Sequence, residues 1–233
     1  MSAAAAHLLA AAISVPDATI VRQGSTLQAA FTAAYGEARH HRMTTGDDDY
    51  TLTPSALIRT KAGFVLVADA YNEAGCHACM SGLAMTTFAD VDGKPGKITG
   101  RLPFEPGGYG SETRATWTIE RRLTRYPALL IEGGWGGQGC TSHGPTLVEL
   151  TPERPIERLA YLAFAKDDTE ADCWRIHAVG TVVPGRQGVS FAMRYRGWTW
   201  PAGHRHVPLN RTVTYRLKNG KFVPDSPVDD LTC

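Results

Sequence analysis

The stretch Arg211-Thr212-Val213-Thr214-Tyr215-Arg216-Leu217-Lys218-Asn219-Gly220-Lys221-Phe222-Val223 decides how the rest of the chain is read. Val213, Tyr215 and Leu217 alternate with Thr212, Thr214 and Arg216, the period of a strand with one buried face. Asn219-Gly220 is the strongest turn signal in the sequence, since both residues accept the positive φ that a two-residue type I′ turn requires. Arg211 to Lys218 therefore folds back on Lys221 to Val223. Working outward, the same punctuation of short apolar runs divided by Gly, Pro, Asn and Asp reaches back to Tyr50.

Phe191, Met193 and Tyr195 alternate with Ala192, Arg194 and Arg196. Thr146 to Leu150, Leu129 to Glu132 and Arg114 to Arg122 are further candidate strands. Leu83 to Asp90 faces Lys97 to Arg101 across Asp92-Gly93-Lys94-Pro95-Gly96. Leu57 to Arg59 faces Phe64 to Tyr71 across Lys61-Ala62-Gly63, and the second of these runs is apolar enough for a central strand. Leu159 to Phe164 reads as a buried strand, although Ile156, Leu159, Ala160, Ala163 and Phe164 also fit a helical stripe. Upstream, the alanine-rich run from Ser2 to Ile13 predicts a helix that Pro16 closes. A second helix is expected to be capped by Ser25, with Gln28 three residues on and Leu27, Ala30, Phe31, Ala34, Tyr35 and Ala38 forming one apolar stripe. His40 to Asp49 reads as a polar linker. The expected fold class is α+β: two N-terminal helices, then a mostly antiparallel, hairpin-rich β-sheet. No repeat or composition break divides it, so residues 1–233 are expected to form a single domain. In it a helical segment, 1–45, packs on a β-rich body, 50–233.

Composition narrows the function classes. Hydrophobic residues at 43%, charged residues at 20% and a formal net charge of +1 are globular values. They give no electrostatic reason to expect nucleic acid or an anionic membrane as partner. The apolar run from Ala3 to Val15 is too short to span a bilayer and is close to a signal-peptide core in length, but it lacks a basic leader. Arg outnumbers Lys and Ala, Gly and Pro are frequent, a usage expected of a GC-rich bacterial genome. Five cysteines are compatible with bridges formed in an oxidising compartment, which points to a periplasmic or secreted protein; reduced cytoplasmic thiols are the alternative.

The cysteines also carry the chemistry. Cys76-His77-Ala78-Cys79 and Cys140-Thr141-Ser142-His143 lie about sixty residues apart. Cys76, Cys79, Cys140 and His143 match a zinc ligand set of three cysteines and one histidine, because zinc takes four soft or borderline donors and ligands two residues apart share a tight loop. Zinc knuckles usually sit in a compact ribbon, however, and here predicted sheet separates the pairs. Disulfides among Cys76, Cys79, Cys140, Cys173 and Cys233 are the favoured reading, with no cofactor; five cysteines leave the connectivity open. In a third reading Cys140 is the nucleophile of a hydrolase or amidase, His77 or His143 its base, and Gln138 a hydrogen-bond donor to the oxyanion beside the run Gly133-Gly134-Trp135-Gly136-Gly137. The sequence carries no P-loop, dinucleotide fingerprint, zinc-protease helix or serine-hydrolase elbow. Trp135, Trp198, Trp200, His204, Arg205 and His206 have the composition of a binding surface, since aromatics and arginine dominate interface hot spots. The leading expectation is a non-enzymatic, extracytoplasmic bacterial domain that binds another protein. An inhibitor or immunity protein that neutralises a secreted toxin is its concrete instance.

Overall fold

The computed structural model describes residues 19–46, 48–61, 63–72, 80–109, 115–137, 140–160, 162, 165–168, 174–201 and 207–228. The helix expected over Ser2 to Ile13 lies outside them. In chain order the elements are β1 (Thr19–Val21), α1 (Ser25–Tyr35), β2 (His41–Thr45), β3 (Asp48–Thr60), β4 (Gly63–Asn72), β5 (Met80–Val91) and β6 (Lys94–Tyr109). Then follow β7 (Trp117–Glu120), β8 (Ala128–Ile131), β9 (Gly134–Gly137), β10 (Cys140–His143), β11 (Thr146–Leu150) and β12 (Pro155–Leu159). The last described elements are β13 (Ala165–Asp168), β14 (Trp174–Pro184), β15 (Ser190–Pro201), β16 (Val207–Lys218) and β17 (Lys221–Pro224).

The α+β expectation is overturned. The described residues are mostly strand, α1 is their one helix, and the strands form three antiparallel sheets. Part of the error is the segment His40 to Asp49, which is no linker: β2 and the start of β3 pair there, Met43 opposite Tyr50 and Thr44 opposite Asp49. An edge hairpin exposed on its outer side needs no apolar alternation, so its polarity hid it. The rest of the error is the count of sheets, since alternation says that a face is buried and not what buries it.

α1 buries the predicted stripe of Leu27, Ala30, Phe31 and Ala34. Its cap differs from expectation: Gly24 is the N-cap, Ser25 makes no capping bond, and Gly36 in the left-handed conformation ends the helix by donating its N–H to the Thr32 carbonyl at 2.7 Å. That left-handed position needs glycine, and it stops the stripe before Ala38.

The sheets stack as layers. The first has strand order β1-β3-β4-β5-β6, with β2 also on β3. One of its faces, with Leu52, Leu57, Phe64, Leu66 and Ala68, packs on α1. The other, with Ile58, Val65, Val67, Leu83 and Met85, packs on Trp117, Leu129, Ile131, Val148 and Leu150 of the second sheet, order β12-β11-β8-β7. The far side of that second sheet presents Ala128, Leu130 and Leu147 to Phe191, Met193, Tyr195, Val213, Tyr215 and Phe222 of the third. The third has seven strands, β17-β16-β15-β14-β13-β10-β9. This layering explains the sequence patterns: β8 and β11 are buried at every position because cores lie on both their faces. Burying one Phe or Leu side chain contributes about 1.5–3 kcal/mol, so the three cores dominate the fold's stability. The expected I′ turn is present, with φ 50° at Asn219 and 82° at Gly220. Among the described residues no helix is long and apolar enough to cross a membrane.

Candidate functional site

The seven-stranded sheet gathers most of the sequence-predicted site residues that lie within the described part of the chain. Cys76, His77, Cys79, Gln138, Cys173, Cys233, His204, Arg205 and His206 lie outside it, so the disulfide, zinc and nucleophile readings rest on residues beyond this description. Cys140 and His143 are the first and last residues of β10. Cys140 is in register with Gly137 of β9 and Asp168 of β13, and His143 with Gly134 and Ala165. Trp135 stands opposite Ser142, and the glycine-rich run forms a strand from Gly134 to Gly137. Trp198 and Trp200 lie on β15, opposite His177 and Arg175 of β14. Two constellations read as separate therefore share one sheet, three strand spacings or roughly 14 Å apart.

The long strands β14, β15 and β16 give this sheet an anchored inner face and an exposed outer one. Phe191, Met193 and Tyr195 are each at most 1% exposed, held in the core with Val213 and Tyr215. The rings of Phe191 and Tyr215, cross-strand partners, stack at 4.9 Å. Alternation then turns the intervening residues outward. Arg194 lies between Thr181 and Thr212, Arg196 between Val179 and Asn210, and Trp198 between His177 and Pro208. Successive rows are about 7 Å apart. Trp198 stacks on His177 with ring centroids 6.0 Å apart and planes inclined by 23°. Further along the same face Arg216 and Lys218 are exposed as well.

No Asp or Glu occupies an outward position of β14 from His177 onward, or of β15, β16 and β17 among the described side chains. Arg194, Arg196, Arg216 and Lys218 have no ion pair with any described residue. On the same face Asp167 of β13 stands in register with His177, and on the opposite flank the nearest carboxylate is Asp225, just past β17. It is already engaged: its Oδ1 accepts the Thr214 N–H at 3.0 Å, and that bond holds its carboxyl below the usual range. Across β15 and β16 the face is thus cationic, and it is edged by a stacked aromatic pair. Sequence reasoning missed Arg194, Arg196 and His177, although the alternation around Phe191 to Arg196 already marked the arginines as the outward half of a strand.

A second cluster joins all three sheets. Glu105 of β6, 4% exposed, hydrogen-bonds Glu157 of β12, which in turn pairs with Lys221 of β17. Burial first, and the neighbouring Glu157 carboxylate second, raise the Glu105 carboxyl to about 7; Lys221 opposes them. This buried acid lies where the three sheets meet. No spacing in the sequence points to this cluster. Comparison with known protein families, with curated proteins and with solved structures finds no match, so the chemistry of these two clusters alone carries the functional reading.

Proposed function

We propose that the chain is a non-enzymatic binding protein whose outer face on the seven-stranded sheet engages an acidic protein surface. The supporting observation is the pair of unneutralised rows, Arg194 and Arg196, running into the His177–Trp198 stack. Arginine and tryptophan are the residue types that concentrate binding energy, and a packed sheet fixes the backbone that presents them, so the ordering on binding is confined to the side chains. By strand spacing and rise, one face of three strands eleven to twelve residues long covers on the order of 550 Å², most of the roughly 800 Å² that one partner contributes to a standard interface. Charge reversal is the direct test. The Arg194→Glu/Arg196→Glu variant, immobilised beside the parent chain, is expected to retain at least about tenfold less of an acidic protein from the source organism, and raised salt is expected to release that protein from the parent. Equal retention on both, with the same circular dichroism, overturns the reading.

The setting proposed for this activity is extracytoplasmic and bacterial, with an inhibitor or immunity protein that neutralises a secreted toxin as the concrete instance. The five cysteines support it. Mass spectrometry of protein isolated from its own compartment is expected to show a deficit of about 2 Da for each bridge, and five alkylatable thiols in that material would sink the compartment proposal.

A further inference from the structure

A cavity of about 320 Å³ opens between the second and third sheets, on the side of the seven-stranded sheet opposite the arginine rows. This is within the range of roughly 300–1,000 Å³ found for small-molecule sites. Tyr126, Leu217 and Phe222 supply its apolar walls, and Arg125, Glu149 and Arg158 its charges.

Each wall is held in place. The Tyr126 N–H donates to Glu149 Oε1 at 2.8 Å, and the Thr124 hydroxyl donates to the Tyr126 carbonyl at 2.6 Å. The Gln187 side-chain amide donates to the carbonyls of Arg121 and Thr124 at 2.7 and 2.9 Å, which ties the loop between β7 and β8 to the turn before β15. Arg158 donates through Nε to Glu149 Oε2 at 2.6 Å and through Nη1 to the Gly220 carbonyl at 2.9 Å. These bonds use two of the five N–H donors of its guanidinium and leave the others for a ligand oxygen.

The charge of the cavity is unbalanced. Glu149 and Arg158 neutralise each other, whereas exposed Arg125 has no carboxylate partner among the described residues and lies 5.6 Å from the centroid of the Tyr126 ring. One cation remains. A monoanion matches it, while a dianion would place surplus negative charge near Glu149. Leu217, although 37% exposed, and buried Phe222 offer apolar surface to the remainder of a ligand.

We propose that this cavity binds a small aromatic monocarboxylate, its carboxylate at Arg125 and its ring among Tyr126, Leu217 and Phe222. The site is independent of the outer face and of the partner proposed for it.

Amide-resolved NMR titration of the full chain with phenylacetate and indole-3-acetate tests the assignment. Saturable shifts are expected at the amides of Tyr126, Gly188 and Phe222. Acetate, which lacks the ring, and phenylacetamide, which lacks the charge, are expected to bind at least about tenfold more weakly. Arg125→Ala, at an exposed position and with circular dichroism matching the parent's, is expected to weaken phenylacetate binding by about the same factor. The proposal is overturned if neither acid gives a saturable shift at those amides, if phenylacetamide binds as tightly as phenylacetate, or if Arg125→Ala binds the acids like the parent.

Discussion

At pH 8 the Glu105→Gln variant is expected to be more stable than the parent chain by about 3 kcal/mol, and at pH 4.5 the two are expected to coincide. Glu105 is 4% exposed, and its carboxyl is raised from 4.5 to about 7 by burial and by the Glu157 carboxylate against the opposing pull of Lys221. The folded chain thus holds a proton that the unfolded chain has already released in the window between those two values. The stability that this proton contributes is complete below pH 4.5, falls as the pH climbs through about 7, and is gone above it. Glutamine is neutral throughout and keeps a donor for Glu157, so it removes the titration without emptying the site. Denaturant midpoints measured from pH 4.5 to pH 8 give the result: curves for the two proteins that run parallel over the whole window would contradict the assignment.

The same cluster shows why part of the molecule was illegible in its sequence. Glu157 and Lys221 are 64 residues apart, and Glu105 lies on a different sheet from either. Spacing carries no information about such a meeting, because it is set by how three sheets stack. The hairpin at Asn219-Gly220, the central strand around Phe64 to Tyr71 and the stripe on α1 were legible, since each is written locally as a turn chemistry or a period. The layering is written in the sequence only as an apolar run with no polar half, such as Ala128–Ile131, which marks a strand covered on both faces. Cys140 and Trp198 are a further case. After His143 the chain leaves the seven-stranded sheet, builds β11 and β12 in the middle layer and returns at Ala165, so distance along the sequence conceals that both residues belong to one sheet. The arginines were hidden by averaging. A net charge of +1 for the whole chain is consistent with a strongly cationic face, because the compensating carboxylates lie elsewhere, as at Glu149 and Glu120.

Gly197→Ala is expected to cost on the order of 4 kcal/mol, lowering the melting temperature by about 10 °C, and to abolish partner binding at the outer face. Gly197 is opposite Ala178 of β14 and Leu209 of β16, in the middle of the longest continuous ladder in the third sheet, which runs from Trp174 opposite Pro201 to Pro184 opposite Phe191. A Cβ at this position would overlap the carbonyl oxygen of His177 and lie 2.8 Å from its carbonyl carbon. Both are backbone atoms, so no side-chain rotation relieves the overlap and the strands must separate. The separation falls between the row of Arg196 and the row of Trp198, and it also withdraws support from Tyr195 and Ala178, each 1% exposed in the core beneath. Stability and binding are thereby coupled through a single methyl group. Gly24→Ala supplies the comparison, since a Cβ there meets nothing within 4 Å and only the backbone, at φ 108° and ψ 174°, opposes it, at a cost of about 1–3 kcal/mol. Thermal melts of the two variants separate the effects: a Gly197→Ala protein that melts within about 2 °C of the parent would mean that β14 and β15 do not approach each other as described, and the row geometry of the binding face would fall with that result.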